Sequence, residues 1–185
     1  MENMEAAIFL RSERLTYRQT TVSDLEQIVA VENDAENIAY IIPWSKEQHA
    51  AVLSDSDKKH IVIEDEHMSW VGYVILAGLD SPHHSVELVR IVISKKNKGY
   101  GREAIKAMLK YIIEDLQAHR IWLDVKEYNE RAKQLYLSLG FKQEGILREC
   151  IKNGDKYESL IVMSLLQQEV THALGNKKTS AGRSH

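Results

Sequence analysis

The segment RIVISKKNKGYGRE, residues 90–103, determines how the rest of the sequence is interpreted. It begins as an apolar, β-branched run typical of a strand and ends with two closely spaced glycines, Gly99 and Gly101. Residues 104–116 then place apolar side chains at helical spacing over about four turns, which predicts a long amphipathic helix. The segment therefore predicts a strand that leads through a glycine loop into a helix.

The glycine loop has the chemistry of an anion-binding site. Its glycines lack the Cβ atoms that block close approach of the backbone, and the helix start offers free N–H groups and the positive end of its dipole. Lys95, Lys96, Lys98 and Arg102 add positive charge around it. We therefore expect a pyrophosphate site, although the loop alone is equally compatible with a glycine turn surrounded by solvated lysines.

Two common nucleotide-binding motifs are missing from the sequence. It contains no GxxxxGK[ST] run, which a Walker A loop requires, and the G-x-G of residues 99–101 lacks the third glycine of a dinucleotide-binding fingerprint. The expected ligand is therefore a phosphorylated compound other than ATP or NAD. The pair His83 and His84 has no third ligand at metal spacing, so we expect a solvated turn and no metal site.

Length and composition indicate one globular domain, which we expect to span residues 1–170 and to precede a flexible polar tail, residues 171–185. The 24 basic and 27 acidic residues are interspersed, which argues against nucleic-acid binding.

The only cysteine, Cys150, cannot form an intramolecular disulfide, and we expect it to be a buried small hydrophobe. The lack of a signal peptide or a membrane-length apolar run favours a cytoplasmic protein without membrane association.

The remaining periodicities predict a mixed α/β protein. Residues 61–63, 70–76 and 86–93 are three β-branched runs that we interpret as an antiparallel meander. The third run is apolar at nearly every position except Glu87 and Arg90, and two charges in a strand covered on both faces need an explanation. The full predicted order is β-α-(α)-β-β-β-α-β-α-β-β, with a hairpin at the end.

Two motifs resemble those of GNAT acetyltransferases. The glycine loop is similar to the family's [Q/R]-x-x-G-x-[G/A] element, which holds the pyrophosphate of coenzyme A. Residues 129–141, NERAKQLYLSLGF, resemble its N-x-x-A-x-x-x-Y-x-x-x-G-F signature. The likeness runs from Leu15 to Leu166 and implies the GNAT fold, a mostly antiparallel twisted sheet of about six to seven strands flanked by about four helices. Lys96 departs from the pattern, because the family has Gln or Arg there.

The resemblance also implies roles along the strand, the loop and the second helix. The backbone of residues 91–93 would pair with the pantetheine amides of acetyl-CoA, and Asn129 would hydrogen-bond the same arm. Tyr136 would protonate the departing thiolate, although its spacing is also that of a core aromatic. The expected cofactor-binding residues are Ile91, Val92, Ile93, Lys96, Lys98, Gly99, Tyr100, Gly101, Arg102, Asn129, Ala132 and Tyr136.

Direct attack by an alkyl amine requires the loss of a proton, because the ammonium form has a pKa of about 10.4. Glu87 is the expected catalytic base, since it lies in a central strand just upstream of the cofactor-binding stretch. There it would accept the proton directly or through water and would attract a cationic substrate. The alternatives are that Glu87 pairs with Arg90 or faces solvent.

The resemblance thus implies an acetyl-CoA-dependent N-acetyltransferase that acts on a primary amine in a ternary complex, without an acetyl-enzyme and without a metal. Residues 144–149, 152–154 and 163–165 are similar to the branch that contains ribosomal-protein N-terminal and spermidine acetyltransferases. The acceptor is accordingly a protein α-amine, or a polyamine or other small amine, and its pocket falls in residues 33–57. The rival interpretation is a catalytically silent acyl-CoA-binding domain. Pairing of late strands would give a homodimer.

Overall fold

Eight strands form one sheet in the computed structural model, which describes residues 6–174. The strands are β1 (Ile8–Arg11), β2 (Leu15–Gln19), β3 (Lys58–Asp65), β4 (Trp70–Ala77), β5 (Ser85–Ile93), β6 (Arg120–Lys126), β7 (Lys142–Asn153) and β8 (Lys156–Leu166). The helices are α1 (Leu25–Glu32), α2 (Ala35–Ile38), α3 (Lys46–Leu53), α4 (Tyr100–Glu114), α5 (Glu130–Ser138) and α6 (Gln167–Ala173).

The strand order is β1-β2-β3-β4-β5-β6-β8-β7, and every neighbouring pair is antiparallel except β5 with β6. The mixed, mostly antiparallel sheet is therefore confirmed, with one strand and two helices more than expected. The additions are β1, α2 and α6, which are too short to show a readable period. Because α6 continues to Ala173, regular structure passes the predicted domain end at residue 170. Residues 171–173 of the predicted flexible tail are therefore helical, and residues 175–185 lie outside the described residues.

Apolar side chains pack on both faces of the sheet. On one face α4 contributes its predicted stripe, in which Ala104, Ile105, Met108 and Leu109 are at most 1% exposed. On the opposite face, helices α1 and α3 pack against side chains of β4 and β5. Coverage on both faces explains why β5 is apolar at nearly every position.

Strand β5 loses one of its two neighbours halfway along its length. Ser85–Glu87 pairs in parallel with Arg120–Trp122 of β6, and beyond these residues the two strands separate. The other edge of β5 stays paired with β4, where a bulge between Leu88 and Arg90 adds one residue. The bulge places Glu87 and Arg90 on the same face of the sheet, and the separation from β6 opens a cleft.

Strand β7 is one of the two edge strands of the sheet, and most of its side chains reach solvent. Cys150 is one of them, so the expectation that this cysteine is buried is wrong. The physical reason is that β7 pairs on one side only, with β8, which leaves its side chains accessible.

Candidate active site

A cleft of about 900 Å³ opens where β5 and β6 separate. Its walls come from β5, the start of α4, the end of β6, α5 and residues 35–42. All predicted cofactor-binding residues line this cleft except Lys98. The fold therefore brings together the strand, the glycine loop and the second helix, as the family resemblance implied.

The glycine loop has a backbone conformation that other residues rarely adopt. Gly99 is the N-terminal cap of α4, and its φ of 77° lies in the left-handed region. Since the helix begins at Tyr100, the N–H groups of its first turn lack helical partners, and this turn lines the cleft. This geometry suits a pyrophosphate group.

Arg14, which is far from the glycine loop in the sequence, stabilises that loop through its side chain. Arg14, in the turn between β1 and β2, donates from Nη1 to the Lys98 carbonyl (2.9 Å) and from Nε to Glu103 (2.8 Å). Its guanidinium also lies over the ring of Tyr100, 4.8 Å from the centroid. Sequence reasoning missed Arg14, because nothing in its local pattern connects it to a loop so far along the chain.

Two of the lysines expected around the phosphate already have acidic partners. Lys96 Nζ lies 3.0 Å from Glu36 and Lys95 Nζ lies 2.6 Å from Asp65. Lys98 contributes its carbonyl to the loop, and its side chain is outside the cleft wall. Lys96 thus links the loop to α2.

The middle of the cleft presents an unpaired strand edge. Residues 88–93 pair with β4 on one edge, and in the described part of the chain no strand occupies the other edge. Their N–H and C=O groups on that edge can pair with an extended, amide-containing arm. Across the cleft, Asn129 caps α5 by accepting a hydrogen bond from Ala132 N (3.2 Å), which leaves its side-chain NH₂ for a second partner.

Tyr136 and Asp124 both line the cleft and lie near each other. Burial and the nearby Asp124 raise the pKa of Tyr136 to about 12, so the phenol stays protonated at neutral pH. Its ring packs edge-on against Phe141, with 5.5 Å between centroids. Tyr136 is therefore both a core aromatic and a cleft residue. Burial also raises the pKa of Asp124 above its usual range.

Glu87 lies beside this pair but outside the cleft wall. Burial and the nearby Asp124 raise its pKa to about 7. Arg90 pairs with Glu32 (2.5 Å), so the alternative that Glu87 pairs with Arg90 is wrong. The predicted role of Glu87 as base stays a prediction. Sequence reasoning missed Asp124, because it occupies an ordinary polar position of the alternating strand β6.

Residues 39–42 contribute to the wall of the cleft. On one side Tyr128 OH donates to the carbonyl of Ala39 (2.6 Å), and on the other Arg90 Nη2 donates to the carbonyl of Ile42 (3.0 Å). Residues 39–42 therefore bridge from β5 to the residues that follow β6. These residues belong to the segment 33–57 in which the acceptor pocket is expected, and that expectation stays a prediction.

A buried chain of polar side chains leads to Glu32, the ion-pair partner of Arg90. Glu32, His49 and His60 have no exposed surface. His60 Nε2 lies 3.1 Å from His49 Nδ1, and His49 Nε2 lies 3.2 Å from Glu32 Oε1. Burial and the neighbouring His49 lower the pKa of His60 to about 3, so it is neutral at pH 7. The chain positions the carboxylate that holds Arg90.

Two further observations concern metal binding and membrane-spanning helices. This part of the chain has no group of three or more His, Cys, Asp or Glu side chains that could hold a metal ion. His83 and His84 are exposed in the connection between β4 and β5. No helix among residues 6–174 is long and apolar enough to cross a membrane.

This fold and cleft define an acetyltransferase. A family model described as an acetyltransferase (GNAT) domain matches residues 14–142, and the chain belongs to this family. The family and the named activities of its members confirm the expected class of enzyme, an N-acetyltransferase with acetyl-CoA as acetyl donor.

Individual relatives identify the branch. The spermidine N(1)-acetyltransferase of Vibrio cholerae is 28% identical over 167 residues, which cover 84% of this chain and 95% of that protein. A crystal structure of the V. cholerae spermidine N-acetyltransferase in complex with CoA and spermine has a TM-score of 0.76 at 28% identity, over 84% of this chain and 97% of the other. The ribosomal protein bS18-alanine N-acetyltransferase of Escherichia coli is 24% identical over 149 residues, 78% of this chain and 96% of that protein. The predicted branch is confirmed.

The residues of the cleft fit acetyl-CoA. The left-handed Gly99 and the start of α4 form an anion cradle, and Arg102 and Arg131 line the cleft near it. The unpaired edge of residues 88–93 matches the two amides of a pantetheine arm. When bound, acetyl-CoA supplies the acetyl thioester, and the phenol of Tyr136 lines the same cleft.

Proposed function

We propose that the chain transfers the acetyl group of acetyl-CoA directly to a primary amine within a ternary complex. The observation that carries this proposal is the meeting of Tyr136 and Asp124 in the wall of the cleft that also contains the glycine loop. Direct transfer needs one group that accepts a proton from the amine and one that donates a proton to the leaving sulfur. A carboxylate and a protonated phenol are suited to these two tasks.

Asp124 is the group that receives the proton of the attacking amine. Burial raises its pKa, which brings this carboxylate closer to the pH at which a base works best. Glu87 lies next to Asp124 with a pKa of about 7, so it shares the proton and passes it away from the cleft. Glu87 thereby keeps the place in the proton path that the sequence suggested, while Asp124 contacts the amine.

Tyr136 donates its phenolic proton to the sulfur as the new N–C bond forms and the C–S bond breaks. The amine nitrogen supplies the electron pair for the new bond, and the electron pair of the C–S bond leaves with the sulfur. The nitrogen loses a second proton as the amide forms, and this proton restores the Tyr136 phenol. The products are an N-acetyl amide and the free thiol of CoA. No bond forms between the acetyl group and the protein, so both substrates must be bound together.

The relatives suggest two acceptor classes to test. Relatives named as spermidine acetyltransferases put a polyamine first. A relative named as an alanine N-acetyltransferase of a ribosomal protein supports a protein α-amine as the second class. In both cases the reacting group is a primary amine, which the proposed chemistry of Asp124 and Tyr136 requires.

Release of free CoA thiol tests the proposal. Purified protein and acetyl-CoA are offered spermidine, and separately short peptides with a free N-terminus. Thiol release that depends on an acceptor, with intersecting double-reciprocal lines, is the expected result. Parallel lines would instead indicate an acetyl-enzyme. Saturable acetyl-CoA binding without acceptor-dependent release would contradict the proposal and favour the silent acyl-CoA-binding domain.

A further inference from the structure

Two ion pairs lie beside residues 39–42 of the cleft wall, and in both pairs the cation is the partner nearer the cleft. Arg90 pairs with Glu32 (2.5 Å), and Lys126 pairs with Glu158 (2.8 Å). In each pair the cation lines the cleft, whereas the carboxylate lies outside its wall. The two pairs contain equal numbers of cations and carboxylates. Because the cations are nearer the cleft, its surface beside residues 39–42 is more positive than those equal numbers would indicate.

Both cations are fixed in position before any acceptor binds. Arg90 is also held by the Ile42 carbonyl (3.0 Å) and by the ring of Trp44, 4.6 Å from the guanidinium carbon. Lys126 also lies 3.4 Å from the Ala39 carbonyl and is 4% exposed. A guanidinium has five N–H donors, so Arg90 keeps donors for a further acceptor oxygen.

The same half of the cleft is poor in carboxylates for a cationic ligand. Among the described residues that line the cleft, the acidic ones are Asp124 and Glu36. Glu36 is 3.0 Å from Lys96, and Asp124 takes the proton of the reacting amine in the proposed reaction. No other carboxylate of the described wall remains to hold a second ammonium group. The rest of this half is largely apolar, with Tyr40, Ile41, Ile42, Val125, Ile151 and Leu160.

We infer that the acceptor is a small amine that carries a carboxylate, which Arg90 and Lys126 bind while an apolar body lies between the carboxylate and the reacting amine. This inference rests on the proposed acetyl transfer and names the substrate class of the same site. It departs from the polyamine relatives, because a polycation brings a second positive charge to a wall that already presents two.

Three classes of amine, compared at equal chain length, isolate the effect that the charge of the distal group has on turnover. The probes are ω-amino carboxylates, n-alkyl amines and α,ω-diamines, each in a series of three to six carbons, with thiol release giving kcat/KM. The best amino carboxylate is expected to exceed the diamine of the same length by about tenfold or more, with the alkyl amine between them. Titration calorimetry of the same compounds with the CoA-bound protein measures binding without turnover.

The variant Lys126→Gln separates recognition from folding. Glu158 keeps a hydrogen bond from Asn153 Nδ2 (3.0 Å), so its carboxylate is not left without a donor. The preference for the amino carboxylate over the diamine of the same length is expected to fall by about threefold or more. The matched control is Lys142→Gln, which removes a lysine on β7 that is 71% exposed.

The outcomes distinguish this inference from the proposed reaction. Faster turnover of the diamine, or no binding of any amino carboxylate, would overturn the inference and leave acetyl transfer standing. An unchanged preference in Lys126→Gln would also overturn it. Tighter binding of the amino carboxylate without thiol release would support the inference and contradict the proposed reaction.

Discussion

Glu32 and Arg90 form a buried ion pair that joins helix α1 to the strand lining the cleft. Arg90 Nη1 lies 2.5 Å from Glu32 Oε1, and Glu32 has no exposed surface. Burial opposes ionisation of this carboxyl, but His49, Tyr73, Arg90 and the Trp44 N–H outweigh it and lower its pKa to about 2. The pair explains the charge at position 90 of an otherwise apolar strand.

Replacement Glu32→Gln is expected to lower the free energy of unfolding by about 3 to 5 kcal/mol at pH 7, because it leaves the buried guanidinium without its counter-charge. The folded pKa is below the usual 4.5, so this stabilisation is present above pH 4.5 and is lost as the pH falls toward 2. Urea unfolding at several pH values measures it. Glu26→Gln, at an 83% exposed ion pair, is the control and should change stability by less than about 1 kcal/mol.

Replacement Tyr136→Phe is expected to reduce kcat by about 10²-fold or more, because the phenol is the proposed general acid and its pKa of about 12 keeps it protonated at neutral pH. The KM for acetyl-CoA should change little, since the ring and its packing on Phe141 remain. Steady-state thiol release measures both. Tyr157→Phe, at a 60% exposed position, is the matched control. A kcat within twofold of the wild type would remove Tyr136 from the mechanism.

The two neighbouring carboxylates should differ in their effect on rate. Asp124→Asn is expected to lower kcat by about 10²-fold, because it removes the group that contacts the amine. Glu87→Gln should lower kcat by less than about tenfold and shift the limb of the pH–rate profile near pH 7. Profiles of kcat/KM against pH measure the difference. Equal losses, or a larger loss in Glu87→Gln, would restore Glu87 as the direct base.

Glu87 should also make stability depend on pH in the opposite sense to Glu32. Its folded pKa of about 7 exceeds the usual 4.5, so its stabilising contribution is present below pH 4.5 and is lost as the pH rises through 7. Relative to the wild type, Glu87→Gln should gain about 2 to 3 kcal/mol between pH 4 and pH 8. Urea midpoints at these pH values test this. A constant difference would show that the carboxyl titrates normally.

Replacement Gly99→Ala is expected to weaken acetyl-CoA binding by about tenfold and to cost about 1 kcal/mol of stability, because a Cβ strains the left-handed backbone at the cradle. Gly154→Ala is the matched control, since Gly154 also has a positive φ, of 60°, and lies in the hairpin turn, where a Cβ would meet no atom within 4 Å. Calorimetric titration with acetyl-CoA should show weaker binding for Gly99→Ala alone. Equal affinities would mean that the loop does not contact the phosphates.

Helices and strands that are long enough to repeat their apolar period several times were predictable from the sequence. The stripe of α4 and the antiparallel order of β3, β4 and β5 appear in the structure as the pattern indicated. The elements β1, α2 and α6 were not predicted, because four to seven residues give too few repeats to establish a period. The candidate site followed a similar rule, since its contiguous motifs were predicted whereas the isolated residues Arg14 and Asp124 were not.

The sequence by itself determined the glycine loop, the helix after it and the motif of residues 129–141, because these depend on backbone conformation and on side chains close together in the chain. Only the tertiary structure decided the partner of Arg90, the support that Arg14 gives the loop and the place of Asp124 beside Tyr136. The contacts of Arg90 and Arg14 join residues 58 and 84 positions apart. Such contacts arise when separate elements pack, and no local period encodes them.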